Sequence, residues 1–345
     1  MATMRDVARQ AGVSVKTVSR VFNEDRHVLP ETRRRVEEAL AALNYTPNML
    51  ARTFRDGRSP VIGLAVPSIS DPFFAAIADG VEQVAAQHDM SVLITSLGAE
   101  GAREEGIVES LLRRQLGALV MAPTATDQGY LSRWSSKLPL VFVDRPPRGI
   151  DADCFVEDDL GGARTATAHL IDRGHRRIAF VGNSEDISTT ANRLHGYRAA
   201  LEEAGLPFER DLVLLGATTA AGAGRAAAAL AAADPAPTAV FSSDAQTTMV
   251  LVPALSGRRL AIAAFGDFPM AATLSPALTV VDQDPDALGR LAAQRVLHRL
   301  EGDDREPSSL VTLPVRLIER ASCRPPHDLV ELFPSTTPSG GDARP

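Results

Sequence analysis

Two cysteines, Cys154 and Cys323, are all that the 345 residues contain. They offer neither a zinc-site spacing nor a disulfide framework, a usage that suits a reducing cytoplasm. No apolar run reaches the length of a bilayer span and no signal-peptide pattern stands at the start, so no membrane partner is expected. Equally missing are a Gly-x-Gly-x-x-Gly after a strand, a phosphate loop, a nucleophile elbow and a paired acid–base constellation. His169, His175, His195 and His298 fall singly on helices or beside turns and read as surface side chains. No catalytic residue, metal ligand or cofactor is expected. These absences disfavour a doubly wound sugar-binding enzyme.

With 45% apolar and 23% charged residues, the composition is that of a globular chain large enough for two or three domains. The net charge of −7 speaks against nucleic acid only if it is read globally. Residues 1–60 carry 11 Lys and Arg against 7 Asp and Glu, and the remainder 25 against 36. A basic head on an acidic body fits a small DNA-reading module joined to a part with another task.

The head shows how such a module is built. Met4–Phe22 reads as two short helices broken by a tight turn at Gly12-Val13. Thr3, with Asp6 three positions on, caps the first helix and Ser14 the second. Val7, Ala8 and Ala11 line one face; Val18, Val21 and Phe22 line the other, at helical spacing. Val15, Lys16, Thr17, Ser19 and Arg20 then point outward near the start of the second helix, as base reading in the major groove demands. A plain helical hairpin has the same buried seam, so the pattern alone does not decide. Pro30 opens a third helix, to about Leu43, on which Val36, Leu40 and Leu43 close the core. Arg33, Arg34 and Arg35 read as a solvated or phosphate-facing patch, and Arg26 in the preceding loop reaches backbone or bases. After Asn44 the segment Pro47–Arg55 has helix signals but only about two turns, too few to persist alone in water.

The runs Asp6-Val-Ala, Gly12-Val-Ser, Thr17-Val-Ser-Arg-Val, Tyr45-Thr-Pro-Asn and Ala51-Arg52, in that order and spacing, resemble the LacI/GalR family of bacterial transcription regulators. The resemblance implies an all-α helix-turn-helix head at 1–46 and a hinge helix and linker at 47–60. An α/β body of two parallel-sheet lobes, like periplasmic sugar-binding proteins, then follows at 61–323. It implies that Val15, Lys16 and Arg20 read bases, with Arg20 suited to bidentate contact with guanine. Thr17, Ser19 and Tyr45 are assigned to phosphates, which position the head without naming a sequence. Phe54 stands where the family has a leucine wedge that unstacks a base step, flanked by Arg52 and Arg55 as further DNA contacts. Double-stranded operator DNA, a sugar-like effector and a second copy of the chain are the implied partners. A homodimer is the expected state, with higher assembly left open.

From Val61 onward nine apolar runs alternate with helical segments, the pattern of parallel sheets covered on both faces. A lobe boundary is expected at Pro146–Asp151, with chain crossings near 145–152 and 278–284 and a last strand, Leu310–Ile318, returning to the first lobe. The tract Arg225–Leu230 reads as compositional, and 324–345 as a disordered tail. Ligands of open parallel sheets sit beyond the carboxyl ends of strands. That rule selects Asp71, with Phe73, after the first strand, and Asp144 and Arg145 after the fourth. It also selects Asn192 and Arg193 opening a helix, Asp244, and Gln283. Carboxylates and guanidinium groups beside an aromatic face suit a polyhydroxylated ligand. Asp71 and Asp244 read equally as helix caps, and Asp144-Arg145 as a local ion pair. The resemblance favours Arg193 and Asp244 as ligand residues. It also exposes a departure: Ala264-Phe265-Gly266-Asp267 lacks a carboxylate that the family places against the sugar. A ligand-released repressor is therefore preferred over a regulator whose body answers to a corepressor or partner protein.

Overall fold

The computed structural model describes residues 2–22, 25–44, 59–99, 101–302 and 307–325. They form two compact units, residues 1–59 and 60–345. Tyr45, Arg52, Phe54, Arg55 and the expected hinge helix lie outside the described residues, as do the tail beyond Pro325 and the side chain of Phe22.

In the first unit, α1 (Met4–Ala11) starts on a reciprocal cap. Thr3 Oγ1 accepts from the Asp6 amide at 3.3 Å, while the Asp6 carboxylate accepts from the Thr3 amide at 3.0 Å. It ends on Gly12 in the left-handed region at φ +66°, a conformation open to glycine without strain. Ser14 Oγ then accepts from the Thr17 amide and starts α2 (Val15–Phe22). Pro30 occupies the first turn of α3 (Pro30–Ala42). Val7, Val18 and Val36, one from each helix, meet in a core with Ala8, Ala11, Val21 and Ala39; Leu40 and Leu43 pack at its edge. Arg33 departs from the expected exposed patch: its Nη2 donates to the Asp25 carbonyl at 3.0 Å and holds the loop before α3.

The second unit has two lobes. In the first, β1 (Val61–Val66), β2 (Ser91–Ser96), β3 (Ala118–Met121), β4 (Leu140–Val143), β5 (Asp153–Glu157) and β11 (Leu310–Leu313) form a parallel sheet ordered β11-β5-β4-β3-β1-β2. Its helices are α4 (Pro72–Gln87), α5 (Glu104–Leu112), the short α6 (Ser132–Ser135) and α11 (Pro285–Leu300). In the second, β6 (Ile178–Val181), β7 (Val213–Leu214), β8 (Ala239–Ser242), β9 (Ala261–Phe265), β10 (Thr279–Asp282) and β12 (Arg316–Ile318) are ordered β12-β10-β9-β8-β6-β7, with only β12 antiparallel. The helices α7 (Asp159–Asp172), α8 (Ser188–Glu203), α9 (Ala220–Ala232) and α10 (Ala245–Ala254) pack around it.

Two boundaries differ from expectation, at the first and third crossings, while the second falls where 278–284 was expected. The run Arg145-Pro-Pro-Arg-Gly149 punctuates a loop and not a lobe border, because the chain goes on into β5 and pairs with β4. That strand has ionisable ends, Asp153 and Glu157, which shorten its apolar signature to three residues. Asp153 is buried and satisfied by Arg299 at 2.9 Å and by the Ser309 amide at 3.0 Å. The first crossing therefore falls at 157–159 and the second at 282–285. The run Leu310–Ile318 is two strands in different sheets, parted at Pro314, and so forms the third crossing.

Close helix packing frames the first lobe. A Cβ at Gly80 would sit 2.3 Å from the Asp286 carbonyl oxygen, and one at Gly289 would sit 2.2 Å from that of Ile77. Glycine at both positions lets α4 and α11 approach backbone to backbone. The alanine tract is not idle either: Ala223, Ala226, Ala227 and Leu230 bury one face of α9 in the second-lobe core. His169 and His175 are buried, contrary to a surface reading. His175 bridges Thr238 Oγ1 and the Arg324 carbonyl, each at 2.9 Å.

Candidate functional site

Both sheets end their strands on one cavity of about 800 Å³ between the lobes. Asp71 follows β1 and caps α4, accepting from the Phe73 amide at 3.0 Å. Phe73 stands edge-on to Phe74, with ring centroids 5.1 Å apart. Asp144 ends β4 in the left-handed region, at φ +66°, and is 6% exposed. A side chain other than glycine there is strained backbone held by its surroundings, a condition that clusters at ligand sites. Its Oδ2 lies 2.9 Å from Arg145 Nε, at an angle that gives neither atom an aligned hydrogen bond. Arg145 Nη1 donates to the Pro123 carbonyl at 3.1 Å.

From the second lobe, Asp244 caps α10 through the Thr247 amide at 2.7 Å, and its other oxygen accepts from Ser243 and Thr247 hydroxyls at 2.8 Å. Arg193 enters from the second turn of α8 with its guanidinium 3.8 Å above the Phe265 ring. It donates to Asp159 Oδ1 at 2.7 Å and to the Ser243 carbonyl at 2.8 Å. Gln283, after β10, donates to Glu157 at the end of β5 and so joins the lobes at the crossings. At Gly266, where the family carboxylate is missing, φ is +85° and a Cβ would sit 3.0 Å from Gln283 Oε1. The glutamine amide thus fills the space beside that position.

Asn192 is the exception among the expected ligand residues. It is exposed on α8 and outside the cavity wall, because α8 begins at Ser188 and turns position 192 outward while position 193 faces in. Among the wall segments that escaped the sequence reading are Pro123–Gln128 after β3 and Asn183–Thr190 after β6. The strand-end rule applied to those two strands would have found both. The first is held by Glu104, a fully buried carboxylate accepting from Thr124, Ala125, Gln128 and Tyr130.

The electrostatics follow from burial. Asp71 is pushed up to about 6 by burial, and further by Asp244 and Asp144. Burial and then Asp144 raise Glu157 to about 8, and burial raises Asp159 to about 6 although Arg193 opposes the shift. Burial works against the charge of Arg193, but the carboxylates of Asp159, Asp144, Asp244 and Glu157 outweigh it and raise its pKa. Such a wall can accept from hydroxyls at Asp71 and Asp144, donate from the two arginines and cover an apolar ring face with Phe73. Among the described residues, no group of three or more His, Cys, Asp or Glu is arranged to hold a metal, and no helix is long and apolar enough to cross a membrane.

On the head, Val15, Lys16 and Arg20 are exposed along one side of α2, at 41% for Val15. Arg20 Nε lies 3.4 Å from Asp25, an exposed pair that costs little to break. Thr17 and Ser19 are half-buried beside them, with the Thr17 hydroxyl 2.9 Å from Ser14 Oγ, and Arg26 is exposed in the loop beyond α2.

Residues 3–48 match the family described as bacterial regulatory proteins, lacI family, and residues 167–323 match a periplasmic binding protein-like domain. The ribose operon repressor of Escherichia coli K12 is 32% identical over 331 residues, 93% of this chain and 100% of that protein. The lac repressor dimer bound to operator and the anti-inducer ONPF superposes with a TM-score of 0.81 at 25% identity, covering 94% and 99% of the two chains. A complex of the transcriptional regulator CelR with cellobiose gives 0.68 at 28% identity, over 93% and 100%.

Proposed function

The chain belongs to the LacI family of bacterial regulatory proteins, and from that membership we propose a cytoplasmic homodimeric repressor that leaves a near-palindromic operator when a sugar-like effector fills the inter-lobe cavity. It is a DNA-binding transcriptional regulator, and in this reading it acts by binding and not by catalysis. The single observation that carries the effector half is the cavity wall, where Asp71, Asp144, Arg145, Arg193, Asp244 and Gln283 line a space of about 800 Å³ beside Phe73, within the range of small-molecule sites.

Val15, Lys16 and Arg20 read bases in this proposal, Thr17, Ser19 and Tyr45 engage the backbone, and Arg26 reaches backbone or bases. Arg52, Phe54 and Arg55 belong to the linker at 47–60, which joins the head at 1–46 to the body at 61–323. Two copies place two heads on the operator halves. An effector that prefers one lobe arrangement shifts the population toward it, and the linker passes that preference to the heads. Hundredfold release requires about 2.7 kcal/mol of differential affinity between the two arrangements. A corepressor uses the same parts with the opposite sign.

Sequencing the DNA selected by the purified chain, then screening sugars for release from it, tests both halves. A near-palindromic site and release by a related set of sugars are expected. A selection without an enriched sequence sinks the first half, and an operator complex indifferent to every polyhydroxylated compound sinks the second.

A further inference from the structure

Arg193 is the most deeply placed cation of the cavity wall, at 5% exposure, yet its charge is already matched. Asp159, the first residue of α7 and itself 5% exposed, accepts from Nε on Oδ1 at 2.7 Å and pairs through the same oxygen with Nη2, also 2.7 Å away. Nη1 is committed to the Ser243 carbonyl and the guanidinium face to Phe265. Two of the five N–H groups donate in this arrangement, and the others remain for a neutral oxygen. Arg145 is likewise set beside Asp144. With these pairs made, the wall still presents Asp71, Asp127, Asp186 and Asp244 against Arg148 alone.

We propose that Asp159 fixes the charge class of the ligand: by holding Arg193 as a buried neutral pair, it makes the cavity take uncharged or amine-bearing polyhydroxylated molecules and reject their phosphorylated or carboxylated forms. The inference rests on the reading of this cavity as the effector site. An anion entering here meets the carboxylates of Asp71, Asp144 and Asp244; burial pushes Asp71 up to about 6, and the repulsion of Asp244 and Asp144 adds to that shift. It finds no guanidinium free of a counter-charge among the deep residues. A hydroxyl loses nothing by the same arrangement, since carboxylates accept from it and the remaining N–H groups can donate to it. Asp159 does not line the cavity and acts through Arg193, so it is a positioning residue.

The test uses the full chain and matched compound sets: neutral pentoses and hexoses, their amino forms, their phosphate esters and their sugar acids. Affinity is read by calorimetry and by operator release. In the wild type the neutral or amino member is expected to bind at least tenfold tighter than its anionic counterpart. Asp159→Asn, with Asp159→Ser as a second way to remove the charge, is expected to lower that ratio about tenfold, whereas Asp159→Glu retains it. A general loosening of the fold lowers all affinities together and leaves the ratio unmoved. A wild type that binds a phosphate or acid as tightly as its neutral parent overturns the proposal and leaves the sugar reading standing. So does an unchanged ratio in a folded charge-removal variant. Failure of every compound in every set overturns the sugar reading itself, and this inference with it.

Discussion

Glu104 offers the sharpest test of how the cavity is built, because its function is structural and independent of any ligand. It is fully buried on the first turn of α5, and five donors converge on it. Oε2 takes the Thr124 amide, the Ala125 amide at 2.7 Å and the Thr124 hydroxyl at 3.1 Å. Oε1 takes Gln128 Nε2 at 3.1 Å and the Tyr130 hydroxyl at 3.0 Å. Replacing it by glutamine keeps the shape but turns one oxygen into a donor. If the amide oxygen stays with the two backbone N–H groups, the new NH2 faces Gln128 and Tyr130. Gln128 Nε2 keeps the Ala125 carbonyl at 2.8 Å and the tyrosine hydroxyl can reverse, so the damage is partial. Hydrogen bonds to a charged group are each worth about 1.5–3 kcal/mol, which places Glu104→Gln at a loss of about 2–4 kcal/mol. Urea unfolding of the full chain measures it, with the exposed neighbour substitution Glu105→Gln expected within about 0.5 kcal/mol of wild type. Amide exchange at Thr124 and Ala125 should accelerate in the same variant, since those N–H groups lose an ionised acceptor. An unfolding midpoint equal to that of Glu105→Gln, with wild-type exchange at both amides, would refute the role given to Glu104.

Three further outcomes are expected. Arg20→Ala should relax operator preference at one symmetric position, by about 1–3 kcal/mol of discrimination, and an unchanged binding-site logo would remove its reading role. Phe54→Ala should weaken operator binding more than non-specific binding, and equal losses would exclude a wedge. The pH dependence of stability has a definite sign at Glu157, whose folded pKa of about 8, raised by burial and then by Asp144, lies above its ordinary value. The folded state then holds that proton more tightly than the unfolded chain, so the contribution is full at low pH and is lost as pH rises through 8. Lowering the pH from 9 to 7 should therefore stabilise the body by on the order of 1 kcal/mol, and Glu157→Gln should flatten that rise; an unaltered slope would exonerate Glu157.

Much of this molecule was legible because local chemistry and global fold agree. Thr3, Gly12, Ser14 and Pro30 announce the ends of the head helices, and each serves there. The central apolar strands of the body, among them β3, β4 and β6, are fully buried, so their runs stand out against the helices between them. Legibility failed where burial is paid for by pairing. Asp153 and Glu157 hide a buried strand behind charges whose partners, Arg299 and Gln283, lie more than a hundred residues away. Glu104 and Asp159 look like ordinary helix-start acids until the loop and arginine that they hold are seen in place. Asn192 failed for a different reason: the helix starts four residues earlier, at Ser188, so Asn192 is not at the helix end that faces the cleft but on an exposed side of its second turn.

The three crossings have a consequence for how the chain is made. The first lobe begins at Val61, but its helix α11 and edge strand β11 come from Pro285–Leu313, after the whole of the second lobe has been synthesised. At about 5–20 residues per second, roughly 150 residues separate the end of β5 from the end of β11, an interval on the order of 10–30 s. Throughout it, Val120, Val141 and Phe155 await Leu288, Ala292 and Val296 from α11. The second lobe likewise awaits β12 at the same late moment. Neither half can therefore finish before the other, and a ribosome that stalls between Asp282 and Leu310 leaves two open sheets on one nascent chain. The stretch from Pro285 to Ile318 works as a clasp that closes both lobes in the last steps of synthesis.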